Sequence, residues 1–370
     1  MIKKFLPFLL LAVIVYACSS DSSDNPTPSD GFDRGEILTH LADNIIIPSF
    51  EAFDSQLTTL ETKATSFTDT PNATTLAEVR TAWLNAYKAW QHVEMFNIGK
   101  AEELGVESFV FFFNIYPVTV ADVESNISNG TYDLNSSNNH DAQGFPALDY
   151  LLYGVAANDT AILEKYTTDA NAANYKKYIT DVIAQMSGLT TTILNDWKGS
   201  YRDQFVASTG NTASSSLNKL VNDFIFYYEK GLRANKFGIP AGNFSSTPLP
   251  EKVEAYYNRV ASKALALEAL NAVQDFFNGN NFNAAGSGIS FKSYLEYLKR
   301  GDLVNLINAQ FNTAETQVGT LNDDFYQQIN TDNTQMTKAF DELQKVVVYL
   351  KVDMLQAFNV SVDYVDADGD

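Results

Sequence analysis

Apolar residues recur at three- and four-residue steps through most of this 370-residue sequence. Residues at that spacing share one face of an α-helix. The pattern is sustained in segment 334–358, and it also marks segments 74–98, 170–199 and 217–232. The inner face of the last segment contains Met336, Ala339, Phe340, Leu343, Val347, Leu350 and Met354. These patterns predict an all-α protein.

Composition supports a folded chain with large apolar cores. Hydrophobic residues make up 45% of the sequence and aromatic residues 13%, enough for one large or two ordinary domains. The polar run 208–216 is typical of a boundary. We therefore expect an N-terminal helical domain over 32–207 and a C-terminal helical domain over 208–370.

The formal net charge is −20. Neutralising nucleic-acid phosphates requires clustered Lys and Arg, so this charge argues against nucleic acid as a partner. Cationic ligands fit it better, although much of the charge also serves simply to keep a surface solvated.

The N-terminus has the pattern of an export signal. A basic start is followed by an apolar run over 5–16, by the small residue Ala17 and by Cys18, the only cysteine. We predict a signal peptide over 1–17, a lipidated Cys18 and a flexible tether over 18–31. Such a protein is an exported lipoprotein of the outer membrane, on its periplasmic face or at the cell surface. An ordinary signal peptide with a spare thiol is the alternative.

One carboxylate lies in an apolar stretch, 144–153. Pro146 predicts a helix start, because the first N–H groups of a helix have no intrahelical acceptor. Asp149 then falls on the apolar face. An inward carboxylate requires a metal, a cation or a hydrogen-bond donor as its partner.

A second inward carboxylate is expected at Glu94. It extends a helical stripe that contains Leu76, Val79, Trp83, Tyr87 and Trp90. His92 lies two residues before Glu94, on a different side of a helix, so we do not expect the two to share an ion.

Several spaced pieces together resemble the imelysin family of exported bacterial proteins. This family includes iron-regulated lipoproteins, an iron-uptake component and a founding member described as a peptidase. The pieces are Trp83 with Tyr87, Trp90, Glu94 and Gly99; then 144–152; 236–240; 254–257; and 368–370. The resemblance implies two helical bundle-like halves packed together, with the family signature at their junction.

The family signature, Gly-x-His-x-x-Glu, is proposed to bind a metal. Gly144 matches its glycine, Pro146 stands in place of the histidine, and Asp149 replaces the glutamate. A proline side chain has no lone pair for a cation. This departure argues against both peptidase activity and family-style metal binding.

These positions define a candidate site for a binding protein. The predicted ligand-binding residues are Gly144, Pro146, Asp149, Glu94, Trp90 and Lys236. As metal ligands we predict Glu94, Asp149 and, from the preceding loop, His140. Carboxylate oxygens favour iron(III), calcium or magnesium over zinc, so iron or another divalent or trivalent cation is the expected cofactor.

An alternative interpretation gives the two carboxylates purely structural roles. In it, Asp149 occupies the first turn of a helix, where the dipole favours a carboxylate. Glu94 then pairs with Arg80, Arg233 or Lys236.

Three functions follow from these interpretations. The first is a non-enzymatic, membrane-tethered protein that binds iron or a small ligand, with an outer-membrane uptake partner. The second is an imelysin-type metallopeptidase. The third is a surface lipoprotein that interacts with glycans or proteins through its aromatic residues.

Overall fold

Helices dominate the structure, as the apolar periodicity predicts. The computed structural model describes residues 30–103 and 109–364. The predicted signal peptide, Cys18 and most of the tether lie outside these residues. Within them no extended strand forms, and one isolated bridge pairs Asn280 with Ser287. The described part of the chain also contains no helix long and apolar enough to cross a membrane.

Seventeen α-helical segments lie within the described residues. The first are α1 (Arg34–Leu41), α2 (Ile47–Asp69), α3 (Ala73–Trp90), α4 (Lys100–Glu103), α5 (Val110–Phe113), α6 (Val120–Asn129), α7 (Gly144–Asp149), α8 (Asp159–Lys165) and α9 (Ala172–Asp196). The rest are α10 (Arg202–Ala207), α11 (Ser216–Phe226), α12 (Ile239–Ala241), α13 (Ser262–Asn278), α14 (Phe291–Tyr297), α15 (Gly301–Gly319), α16 (Phe325–Val348) and α17 (Leu355–Phe358).

Several of these helices pass into wider, π-helical turns. The π-helical segments are Ala42–Ile46, Tyr150–Gly154, Trp197–Tyr201, Tyr227–Gly238 and Tyr349–Met354. Such turns are rare and are often found at functional sites. The longest of them, Tyr227–Gly238, continues directly from α11 and carries Lys236.

The core is built by packing helices side by side. α2 packs against α3 and α9, α15 packs against α16, and α16 packs against the π-helical segment Tyr227–Gly238. α13 contacts both α3 and α15. The described residues from Phe32 onward form one compact unit. The boundary between 207 and 208 stays a prediction.

The predicted helix over 74–98 is wrong beyond Trp90, where α3 ends. The backbone tightens there into successive turns, because Gln91 donates to the carbonyl of Lys88 and Val93 to that of Trp90. Glu94 therefore follows the helix rather than extending its stripe, and is nevertheless buried.

Two other helix boundaries also differ from the prediction. A helix over 253–277 is expected from the apolar pattern, but α13 begins only at Ser262. Ala255 adopts φ of 56°, in the left-handed region that an α-helix excludes. The apolar pattern over 37–67 predicts a helix with a break at Pro48, but Pro48 lies in the first turn of α2, where a proline is tolerated.

Candidate functional site

Glu94 is held in the turn that follows α3. Its side chain is buried, with 7% of its surface exposed. Oε1 accepts a hydrogen bond of 3.5 Å from Nδ2 of Asn114, which follows α5. The other oxygen, Oε2, is buried and has no hydrogen-bond partner among the described residues.

Two neutral donors lie close to this carboxylate. The indole of Trp90 lowers the pKa of Glu94, and Glu94 in turn raises the pKa of the Tyr227 hydroxyl. Neither donor meets the geometry of a hydrogen bond to Glu94, and within the described residues both polar atoms are buried without a hydrogen-bond partner. Buried polar atoms are normally paired, so this group of unpaired atoms is unusual.

A fully buried ion pair lies behind Glu94. Nζ of Lys236 is 2.6 Å from Oε2 of Glu254, and less than 3% of either side chain is exposed. Nδ2 of Asn114 donates to the other oxygen of Glu254 at 3.0 Å. The hydroxyl of Tyr87 donates to Oδ1 of Asn114 at 2.5 Å and so fixes the orientation of this amide. Asn114 thereby connects two acidic side chains, one paired with a lysine and one not.

Opposing interactions determine the pKa of Glu94. Burial raises its pKa from 4.5 to about 7, Lys236 opposes this rise, and the negative charge of Glu254 adds to it. The carboxyl group consequently exchanges its proton near neutral pH. A cation beside it would favour the ionised form.

A cleft of about 690 Å³ opens beside Glu94. Its walls come from the turn after α3, from α5 and the residues that follow it, from α11 with its π-helical continuation, and from residues 363–364. Side chains lining it include Glu94, Asn97, Phe111, Asp223, Phe226, Tyr227, Lys230, Asp363 and Tyr364. We call it the Glu94 cleft.

Two further carboxylates make the Glu94 cleft acidic. Burial raises the pKa of Asp223, and the negative charge of Asp363 raises it further. One oxygen of Asp223 is buried without a hydrogen-bond partner in the described part of the chain. Aromatic surface is also available, because Phe226 is 45% exposed. The cleft therefore suits a ligand that is positively charged and has some apolar surface.

Asp149 is buried as predicted, but in a different environment. It is the last residue of α7, with 1% of its surface exposed. Oδ2 accepts from the backbone N–H of Tyr257 and Oδ1 from that of Asn258, each at 2.8 Å. Its partner is therefore a pair of hydrogen-bond donors. These bonds fasten α7 to the turn that precedes α13.

The pKa of Asp149 is raised to about 7, chiefly by burial, and the two backbone hydrogen bonds act in the opposite direction. Gly144, at the start of α7, adopts φ of 69°. A Cβ atom there would collide with the backbone carbonyl of Phe113, so only glycine allows α7 to approach α5 this closely.

The family signature does not fit a metal in this chain. Both oxygens of Asp149 are used by backbone donors, and buried Pro146 offers no ligand atom. His140 lies in another hollow, with its ring 5.5 Å from that of Phe111 and 4.9 Å from that of Phe112. The described residues contain no group of three or more His, Cys, Asp or Glu side chains that could hold a metal ion. Metal binding by Glu94, Asp149 and His140 stays a prediction.

The other predicted residues divide between two places. Trp90 and Lys236 lie with Glu94, Trp90 stacking on Phe113 at 4.7 Å between ring centroids. Of the three basic partners considered for Glu94, Lys236 is the one that lowers its pKa. Arg80 pairs with Asp159 at 2.7 Å, and Arg233 lies 3.7 Å from Glu229. Gly144 and Pro146 belong with Asp149 in α7.

Sequence reasoning missed several residues of the site. Glu254 lies within a segment that carries the family resemblance, so its acidic side chain was a usable signal. Asn114, Asp223 and Asp363 gave no comparable signal, because they come from separate elements that only the fold brings to one cleft.

Comparison with known proteins agrees with this architecture. The family model described as imelysin matches residues 46–354. Among solved structures, an imelysin-like protein from Psychrobacter arcticum 273-4 has a TM-score of 0.69 at 17% identity, over 88% of this chain and 96% of that one. An iron-regulated protein A precursor from Parabacteroides distasonis ATCC 8503 has a TM-score of 0.71 at 16% identity, over 91% of this chain and 97% of that one. No curated protein sequence gives a significant match. At these identities the solved structures show the fold, an all-α imelysin-like arrangement.

Proposed function

The chain belongs to the imelysin family, and on that premise we propose that it is an exported, membrane-tethered binding protein without enzymatic activity. Its ligand is a cation, taken up in the Glu94 cleft as part of iron acquisition. The similar fold of a protein described as an iron-regulated protein A precursor supports the link to iron.

The unpaired Oε2 of Glu94 carries this proposal. A buried carboxylate oxygen without a donor is unfavourable in the free protein. A cationic centre in the cleft would stabilise the ionised carboxylate electrostatically and reduce that penalty. Asp223 and Asp363, which also line the cleft, are further carboxyl groups whose ionised forms the same ligand would stabilise.

The size of the cleft favours a ligand larger than a bare ion. Cavities of about 300–1,000 Å³ hold drug-sized molecules, and the Glu94 cleft measures about 690 Å³. Iron in such a cleft would keep part of its coordination shell from a small chelator, and Glu94 would provide one protein oxygen. Phe111 and Phe226 would contact the organic part of the complex.

The residues at the signature support the proposed absence of enzymatic activity. A hydrolytic metal site needs about three protein ligands and an open position. Here Pro146 replaces the histidine, and Asp149 is committed to Tyr257 and Asn258. The sequence around Cys18 supplies the proposed membrane tether.

Calorimetric titration with the iron(III) complex of nitrilotriacetate tests the binding site. We expect Glu94→Gln to weaken binding at least about tenfold, because the charge is lost while the shape is kept. Glu251→Gln, an exposed acid-to-amide change, is the matched control and should bind like the wild type. Equal affinity of wild type and Glu94→Gln, or no binding by either, contradicts the proposal.

Detergent phase partition tests the tether. The full chain should enter the detergent phase, and Cys18→Ser should move it to the aqueous phase, since acylation requires the thiol. A wild-type protein found in the aqueous phase would exclude the lipid anchor without affecting the binding test.

A further inference from the structure

A second hollow borders α5 and the residues that follow it. It is open to the surface, measures about 680 Å³ and shares Phe111 and Ile115 with the Glu94 cleft, so the two sites adjoin there. Its remaining walls are α6 and the 3-10 helical turns Ser137–Ala142. We call it the His140 hollow.

The His140 hollow combines a flat ring surface with free polar groups. The imidazole of His140 lies nearly parallel to the ring of Phe111, at an interplanar angle of 29°. Around them are the side chains of Asp122, Ser137 and Asn138. None of these three side chains, nor the imidazole, makes a hydrogen bond within residues 30–103 and 109–364. They can therefore bind a ligand without first breaking an internal contact.

The backbone beneath these groups is well fastened. Oδ2 of Asp141 accepts from the hydroxyl of Thr119 at 2.6 Å, and the backbone N–H of Thr119 donates to the carbonyl of Asp141 at 2.7 Å. Asn139 accepts from Asn126 at 2.8 Å and donates to the carbonyl of Asp133 at 2.7 Å. A hollow whose walls are already fixed binds with a smaller loss of conformational entropy.

The chemistry of this lining selects the class of ligand. A cation-only site is disfavoured, because no group of three or more metal-binding side chains occurs among the described residues. An apolar ligand would leave the carboxylate, amide and hydroxyl groups unpaired. A sugar satisfies both parts of the lining, because its ring C–H face packs on an aromatic surface while its hydroxyls donate to carboxylates and amides.

We propose that the His140 hollow is a carbohydrate-binding site for a neutral or amino sugar. His140 and Phe111 form the stacking surface, and Asp122 and Asn138 bind the hydroxyl groups. The carboxylates of Asp122 and Asp141 repel acidic sugars and attract a protonated amine. The site adjoins the Glu94 cleft and shares Phe111 and Ile115 with it, but Asp122, Asn138 and His140 do not line that cleft, so sugar binding does not require the function proposed for the cleft.

A glycan array probed with the full chain, followed by calorimetry, tests this site. We expect binding to neutral and amino oligosaccharides, with uronic-acid glycans excluded. Asp122→Ala and His140→Ala should each weaken the best neutral binder about tenfold. Asp69→Asn, at an exposed acidic position away from the hollow, should bind like the wild type.

A charge-specific variant separates recognition from loss of folding. Asp122→Asn keeps hydrogen-bonding capacity but removes the charge, so it should retain neutral sugars while losing the preference for the glucosamine disaccharide over cellobiose. Unchanged helical circular dichroism in each variant checks the fold. The proposal is overturned if no neutral or amino glycan binds with a Kd below about 1 mM, or if Asp122→Ala and His140→Ala bind neutral sugars like Asp69→Asn.

Discussion

Glu94 and Asp149 are alike in burial and in acidity, yet their surroundings differ. Burial raises the pKa of each to about 7. Asp149 places both oxygens on backbone N–H groups, whereas Glu94 lines a cleft and one of its oxygens has no hydrogen-bond partner among the described residues. A raised pKa therefore does not by itself identify a binding residue. The completeness of the hydrogen bonding separates a carboxylate that the fold satisfies from one that it leaves partly unpaired.

The buried Lys236–Glu254 pair is a third case in this comparison. Breaking it should cause the largest loss of stability among the variants considered. Lys236→Met leaves Glu254 buried without its cation, which we expect to lower the free energy of unfolding by about 4 kcal/mol. Chemical denaturation measures the change. Lys198→Met is the control, since Lys198 pairs with Glu51 on an exposed surface and should contribute less than about 1 kcal/mol. Similar losses from both variants would contradict a structural role for the buried pair.

Asp149→Asn should be the next most damaging change. The amide can accept one of the two backbone hydrogen bonds, but its NH2 group then faces the other N–H. We expect a loss of about 3 kcal/mol in the free energy of unfolding, with ligand affinity retained in the folded protein. A variant as stable as the wild type would show that Tyr257 and Asn258 do not depend on this carboxylate.

At alkaline pH, Glu94→Gln should raise the free energy of unfolding, whereas Asp149→Asn lowers it. The folded-state pKa of Glu94 lies above its ordinary value of 4.5, so its contribution to stability is fully present below about pH 4.5 and is lost as the pH rises through about 7. A neutral glutamine avoids this loss. We expect the variant to be more stable than wild type by about 2 kcal/mol near pH 8.5, below the ceiling of about 3 kcal/mol that the pKa difference sets, and equal to it near pH 4.

Thermal unfolding at several pH values measures this difference. If the raised pKa alone governed both sites, Asp149→Asn and Glu94→Gln would both stabilise the protein at alkaline pH. Stability changes of opposite sign in the two variants would support different roles for Asp149 and Glu94. Destabilisation by Glu94→Gln at every pH would mean that its second oxygen has a structural partner.

The sequence predicted the helical class and much of the burial. The repeated apolar spacing located α9, α11 and most of α16, and the position of Asp149 in an apolar stretch predicted that it would be buried. These features depend on local periodicity, which a single sequence displays directly.

The arrangement of the candidate site could not be obtained in the same way. The end of α3 at Trp90 depends on local tightening of the backbone, and the left-handed conformation of Ala255 is not signalled by its residue type. The convergence of Glu94, Asp223 and Asp363 depends on tertiary packing between elements distant in sequence. The periodicity of apolar residues does not indicate which residues from distant elements will lie close together.

Proton release on ligand binding is the most direct test of the distinction between the two carboxylates. Near pH 7 a fraction of the Glu94 carboxyl groups is protonated in the free protein, and the bound iron ion should ionise them. Calorimetry of the iron(III) nitrilotriacetate complex in two buffers of different ionisation enthalpy measures the protons released. We expect the wild type and Asp149→Asn to release more protons per bound complex than Glu94→Gln. The same proton release from Glu94→Gln as from the wild type, with the excess lost instead in Asp149→Asn, would contradict the account.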